Sequence, residues 1–237
     1  MIKDLTKIYF KTHLMNHLII GETCLLKYQL TRVGIKKDPT DIFDDMMVNL
    51  DGVRNIIQHN FEDMLSPENI KNVNYLYYPD HGICHNKPIN IKYTTNDNDL
   101  YSWDVCSFFH FDVQTQESFN SLIRKLKRTK QKFESSEPLT LYYYYRKHKK
   151  QDIARLKKKI ESFLDFVRRK YSKQIKIVLV TQDEGDADFL NIEQDTDDFY
   201  HGHFTTTSSW VGIDENWDAH LNNDLFDLFL GEGLPEL

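Results

Sequence analysis

The chain has 237 residues, of which 40% are apolar and 28% charged, the composition of a globular protein with a substantial core. Its longest apolar runs span only a few residues, so we expect no membrane-spanning segment and no secretory signal. Three cysteines argue against a disulfide framework and favour a reducing, cytoplasmic setting. We expect one folded domain over residues 1–237.

The net charge of −6 hides an uneven distribution along the chain. Residues 124–176 carry 19 basic and 5 acidic side chains, whereas residues 182–237 carry 15 acidic side chains and no lysine or arginine. The basic block could bind nucleic acid or an anionic membrane. A solvated helix face, or pairing with the acidic C-terminal region, explains the same charge more simply. We therefore do not expect nucleic acid as a partner.

Residues 17–30 predict a short buried strand that breaks at a glycine and restarts as a helix. Leu18–Ile20 form the apolar run, Gly21 allows a tight turn, and Thr23 can cap a helix that begins at Cys24. Backbone N–H groups at a helix N-terminus favour negative charge, so they would lower the pKa of the Cys24 thiol. The alternative is that Cys24 is a small buried hydrophobic residue.

The next elements change from helical to extended patterns. Apolar residues at three- and four-residue spacing from Val53 to Leu65 predict a second helix that ends at Ser66-Pro67. Residues 72–112 then predict short extended runs, including Tyr75–Tyr78 and Ile89–Tyr93. The aromatic-rich run that follows, 100–111, resembles a strand with His110 at its end.

The second half alternates between helices and strands. Thr115 opens an amphipathic helix, after which Leu139–Tyr145 and Ile175–Val180 predict two strands joined by a helix over residues 152–172. Such a βαβ unit places its strands in parallel. We therefore expect an α/β fold with a mixed, partly parallel sheet flanked by amphipathic helices. Residues 182–199 are expected to form an acidic loop, and residues 216–230 a last helix.

Cys24 and His110 form the first candidate site. A cysteine nucleophile needs an imidazole within hydrogen-bond reach and often a third group that orients the ring. His110 follows an apolar run, where an imidazole is costly unless another group pairs with it, although a structural histidine would look the same. The candidate orienting carboxylates are Asp44, Asp45 and Asp112.

Two metal-like patterns are weaker. Zinc accepts mixed imidazole and thiolate ligands, but the spacing of one group matches no known zinc motif; its members are His81, Cys84, His85, Cys106 and His110. Asp186 and Asp188 follow a predicted parallel strand, where they could hold a divalent ion and a nucleotide diphosphate. A solvated acidic loop explains them more simply, and His201-Gly202-His203 is typical of a surface loop. We expect no cofactor.

Several of these segments resemble the family of putative papain-like cysteine peptidases. Ile19–Cys24 is similar to the strand and Gly-x-x-Cys of that family, and Asp41–Asp45 resembles its Pro-Phe-Asp-Trp element. His110–Asp112 and the later basic helix resemble further elements, over roughly residues 17–180. Ile42 and Asp45 replace the proline and the tryptophan, and the residues after His110 are Phe-Asp. The resemblance implies a Cys-His site.

The leading hypothesis is a thiol hydrolase or acyltransferase acting on an amide or ester of a peptide or small molecule. Cys24 would be the nucleophile, His110 the general base and acid, and Asp44 or Asp112 the orienting carboxylate. Two alternatives stay open. A nucleotide-sugar-dependent transferase would use Asp186 and Asp188, and a non-catalytic interaction module would use the basic helices.

Overall fold

The computed structural model describes residues 16–21, 25–32, 39–78, 83–95, 105–108, 113, 115–146, 153–184 and 189–206. In chain order its helices and strands are β1 (Asn16–Gly21), α1 (Leu25–Arg32), α2 (Leu50–Gln58), β2 (Ile70–Tyr78), β3 (Ile83–Asn90), α3 (Gln116–Glu134), β4 (Leu139–Arg146), α4 (Ile153–Tyr171), β5 (Ile175–Glu184), β6 (Phe189–Thr196) and β7 (Phe199–Thr206).

The chain divides into two compact units, each built from separate segments. The first comprises Met1–Leu18, Leu25–Lys37 and Ser135–Leu237, and the second Ile19–Cys24 and Asp38–Glu134. That the whole chain forms a single domain stays a prediction.

A five-stranded sheet has the order β1-β4-β5-β7-β6, and its strands β4, β5, β6 and β7 lie in the first unit. β4 runs parallel to β5 from the pair Leu139 and Ile175 onward, and β5 runs parallel to β7. β7 lies between β5 and β6 and pairs antiparallel with β6. Strands covered on both faces are apolar along their whole length, as the buried run of β4 illustrates.

The predicted βαβ unit is confirmed. α4 connects the parallel strands β4 and β5 and packs against β5. Its buried side chains recur every three or four residues, which is the stripe that a core-facing helix requires: Leu156, Ile160, Phe163, Leu164 and Val167. At its last turn, Arg168 donates a hydrogen bond to Asp198 at 2.6 Å. The mixed, partly parallel α/β fold class is thus confirmed.

The second unit contains α2, α3 and an antiparallel pair of strands, β2 and β3. Asn49 caps α2, because its side chain accepts a hydrogen bond from the Gly52 N–H at 2.7 Å. Thr115 caps α3 as predicted, accepting from the Ser118 N–H at 3.3 Å. None of the helices in the described part of the chain has the length and apolar composition needed to cross a bilayer.

Two boundaries differ from prediction. α2 ends at Gln58 rather than near Ser66, because the backbone φ turns positive at Asn60, Phe61 and Asp63. The extended run predicted to Tyr93 ends at Asn90 and continues as a turn.

The predicted acidic loop over 182–199 is also wrong. β5 continues to Glu184, and Phe189–Thr196 forms β6. The next residues, Phe199–Thr206, form β7. The helix expected over 216–230 lies outside the described residues.

Candidate functional site

Cys24 belongs to a three-residue connection between two described elements. β1 ends at Gly21 and α1 begins at Leu25, while residues 22–24 lie outside the described part. Gly21 has a φ of 145°, which side-chain-bearing residues rarely adopt, and its carbonyl accepts a hydrogen bond from the Val48 N–H at 2.9 Å. The predicted strand, glycine break and helix are confirmed on both sides of Cys24. The cap by Thr23 stays a prediction.

Asp44 is the predicted site residue whose surroundings the structure describes. It lies in a short 3-10 turn, Phe43–Asp45, and its side chain is fully buried. One carboxylate oxygen, Oδ2, accepts a hydrogen bond from the Asp41 N–H at 2.8 Å. This bond links the carboxylate to the backbone three residues earlier and restricts its orientation.

Two side chains of α3 hold the segment that carries Asp44. The Lys132 ammonium lies 2.7 Å from the Asp41 carboxylate, which is fully buried. The Thr129 hydroxyl accepts a hydrogen bond from the Ile42 N–H at 3.0 Å and lies 3.5 Å from Asp41 Oδ1. We call Asp41, Asp44, Thr129 and Lys132 the Asp41–Lys132 cluster. Through Lys132 and Thr129, the cluster connects two consecutive residues, Asp41 and Ile42, to α3.

Aromatic packing supports the same turn. The Phe43 ring, only 1% exposed, lies 6.3 Å from the Phe61 ring, which in turn lies 5.8 Å from Phe133 of α3. Centroid distances in this range are typical of favourable aromatic pairs. Polar and aromatic contacts therefore both stabilise the turn that carries Asp44.

The remaining predicted residues are only partly visible. Cys24, His110, Asp112, Asp186 and Asp188 lie outside the described residues, as do the side chains of Asp45, Cys84 and His85. Within the described part, no three histidine, cysteine or acidic side chains group together as a metal site. The zinc and divalent-ion alternatives involve residues outside that part, including His81, and stay predictions.

Cys106 is a buried thiol unsuited to act as a nucleophile. Its side chain is fully buried, and desolvation raises its pKa to about 12. Because the thiolate is the reactive form, Cys106 stays protonated and inert near neutral pH. This excludes one of the three cysteines as a reactive group in the folded protein.

A family model described as "Putative papain-like cysteine peptidase (DUF1796)" matches residues 16–185. The match spans more than two thirds of the chain. The chain belongs to this family. Comparison with curated proteins and with solved structures finds no match. The peptidase-family match includes β1, the Cys24 connection and the Asp41–Lys132 cluster, and it ends next to the last residue of β5.

A histidine pair beyond the peptidase-family match was assigned to a surface loop from the sequence, and that assignment is wrong. His201 and His203 lie on β7, and His201 is buried. The Thr181 hydroxyl of β5 lies 2.8 Å from His201 Nε2 and 2.9 Å from His203 Nδ1. A hydroxyl has a single proton, so at least one of the two imidazoles must donate to it.

Replacing Thr181 by valine should destabilise the protein by about 1–3 kcal/mol, because the variant keeps the shape but removes the partner of two ring nitrogens. Urea unfolding followed by circular dichroism measures the change. Thr140→Val is the matched control, because Thr140 is a buried threonine on β4 of the same sheet. Equal effects of the two substitutions would contradict the prediction.

Proposed function

We propose that this member of the peptidase family is a thiol hydrolase or acyltransferase with Cys24 as nucleophile and His110 as general base and acid. Asp44 is the carboxylate that orients the imidazole. The substrate is an amide or ester of a peptide or small molecule. Family membership over residues 16–185 supports the reaction class.

The proposed reaction follows from the chemistry of these groups. His110 takes the Cys24 proton, and the thiolate attacks the substrate carbonyl carbon to form a C–S bond. Backbone N–H groups near Cys24 stabilise the negative oxygen of the tetrahedral intermediate. The imidazolium then protonates the leaving amine or alcohol as its bond to carbon breaks. Water, deprotonated by His110, releases the acyl group and restores the thiol.

The observation that carries the proposal is the buried Asp44 carboxylate. It occupies the Phe43-Asp44 element, within the matched region and with its Oδ2 bonded to the Asp41 N–H. A carboxylate that orients an imidazole has to be held in a fixed direction. The arrangement of the Asp41–Lys132 cluster meets that requirement for Asp44.

Alkylation kinetics test the proposal without a known substrate. Iodoacetamide modification of each cysteine, followed by mass spectrometry between pH 5 and 10, should give Cys24 an apparent thiol pKa well below the free value of about 8.5. Cys106 should stay unmodified because burial raises its pKa to about 12. It therefore reports whether the protein is folded during labelling. A Cys24 profile centred near 8.5 would overturn the proposed mechanism.

A further inference from the structure

We propose that Lys132 and Thr129 of α3 are positioning residues for the reaction, acting through Asp41 to fix the direction of the Asp44 carboxylate. This inference rests on the proposed function. It assigns a role in that site to a helix whose residues the sequence patterns do not connect with catalysis.

The first step of the argument is the backbone between the two acids. The Asp41 N–H donates to Asp44 Oδ2 at 2.8 Å, and the next N–H, that of Ile42, donates to Thr129 at 3.0 Å. Two consecutive backbone N–H groups thus donate hydrogen bonds, one to the proposed orienting carboxylate and one to a side chain of α3. A rotation of this backbone away from α3 would also turn the amide that Asp44 accepts from.

The second step concerns the ion pair. Asp41 is fully buried and the Lys132 side chain is 13% exposed. Removing two charges from water costs about as much as their attraction returns, so a buried pair contributes little net stability. Its effect is instead to hold the Asp41 carboxylate in one position. α3 also carries an exposed ion pair, in which Lys130 lies 3.7 Å from Glu134 and the two side chains are 42% and 51% exposed. Because this lysine lies on the same helix but pairs at the surface, Lys130 is a suitable control position.

The third step is electrostatic. Asp41 and Asp44 are two buried acids within one turn, and the Lys132 ammonium lies 2.7 Å from the Asp41 carboxylate. The Lys132 ammonium balances the Asp41 charge. The Asp44 carboxylate then acts on the His110 imidazolium, which in turn stabilises the Cys24 thiolate.

The test compares Lys132→Met, Lys132→Arg and the control Lys130→Met by the pH profile of Cys24 alkylation. Lys132→Met should raise the apparent thiol pKa by about one unit and slow alkylation at pH 6 about tenfold, because the imidazolium loses its held counter-charge. Lys132→Arg keeps the charge and should stay within about twofold of the wild type. Lys130→Met should match the wild type.

Several results would overturn the inference. A low thiol pKa in the wild type that Lys132→Met leaves unchanged overturns this inference alone, whereas an ordinary thiol pKa in the wild type overturns the proposed function with it. Equal loss in Lys132→Met and Lys130→Met would also contradict it. If Lys132→Met does not fold, Thr129→Val and its conservative partner Thr129→Ser make the same comparison, with loss expected in the first and recovery in the second.

Discussion

Asp44→Asn should slow Cys24 alkylation at pH 6 by about 10- to 100-fold, because an imidazolium that loses its carboxylate partner is less stable and no longer favours the thiolate. Asparagine keeps an oxygen that can accept from the Asp41 N–H, now at 2.8 Å from Oδ2. The fold should therefore persist while the charge is lost. The measurement is the alkylation rate of the Cys24 peptide between pH 5 and 10.

Two further variants make the Asp44 result specific. Asp63 is an exposed acid in the same unit, and the hydrogen bond and charge of Lys92 lower its pKa. Asp63→Asn should leave the alkylation profile unchanged. Asp112→Asn tests the other predicted carboxylate. A loss in Asp112→Asn without one in Asp44→Asn would show that Asp112, and not Asp44, orients the imidazole.

Elements whose burial is recorded in the apolar pattern of a single segment could be predicted. The βαβ unit follows from two continuous apolar runs and one apolar helical stripe, each of which records burial along a single segment. The glycine at the end of β1 was predictable for a similar reason, since its φ of 145° requires a residue without a side chain.

The apolar spacing predicted the wrong secondary structure where buried side chains lie in a turn and not in a helix. Phe61 and Leu65 continue the spacing of α2 and are buried, but they lie in a turn after the helix ends at Gln58. Apolar spacing records which side chains reach the core, and a tight turn with positive φ can bury them as well as a helix can. The periodicity alone therefore overestimated the helix length.

β6 and β7 were missed because their composition lacks the apolar pattern that indicates a buried strand. Acidic and polar residues dominate 189–206, and Gly202 resembles a turn residue. These strands are set by pairing with each other and with β5, and such pairing depends on neighbours more than on intrinsic propensity. The buried contact of Thr181 with His201 depends on the same strand pairing.

At the candidate site, the sequence indicated the proposed catalytic residues but not the residues that hold them in position. Asp44 could be named from the Phe43-Asp44 element, whereas Thr129 and Lys132 could not, because they lie 88 and 91 positions from Asp41 in the sequence. One signal was available: Thr129 occupies a buried position on α3 between Leu122 and Phe133. A hydroxyl on an otherwise apolar stripe indicates a polar partner across the interface.

Phe43→Ala should lower the free energy of unfolding by about 3–5 kcal/mol, the usual cost of removing a buried phenylalanine ring. The ring is 1% exposed and lies 6.3 Å from that of Phe61, so its removal leaves a cavity. Phe43, Phe61 and Phe133 of α3 form an aromatic row, in which each ring is close to the next. Urea unfolding gives the change, provided that the slope with denaturant matches the wild type.

Phe43→Ala and its control variants also test whether the aromatic packing helps to hold Asp44 in position. Phe119→Ala, at a half-buried position of α3, should cost clearly less and leave Cys24 alkylation unchanged. Phe43→Leu retains most of the apolar volume and should preserve the Asp44 contact with Asp41. If Phe43→Ala costs less than about 2 kcal/mol, the turn does not depend on the aromatic row. Asp44 would then be held only by the polar contacts of Asp41, Thr129 and Lys132. In that case Lys132→Met should slow Cys24 alkylation more than Phe43→Ala does.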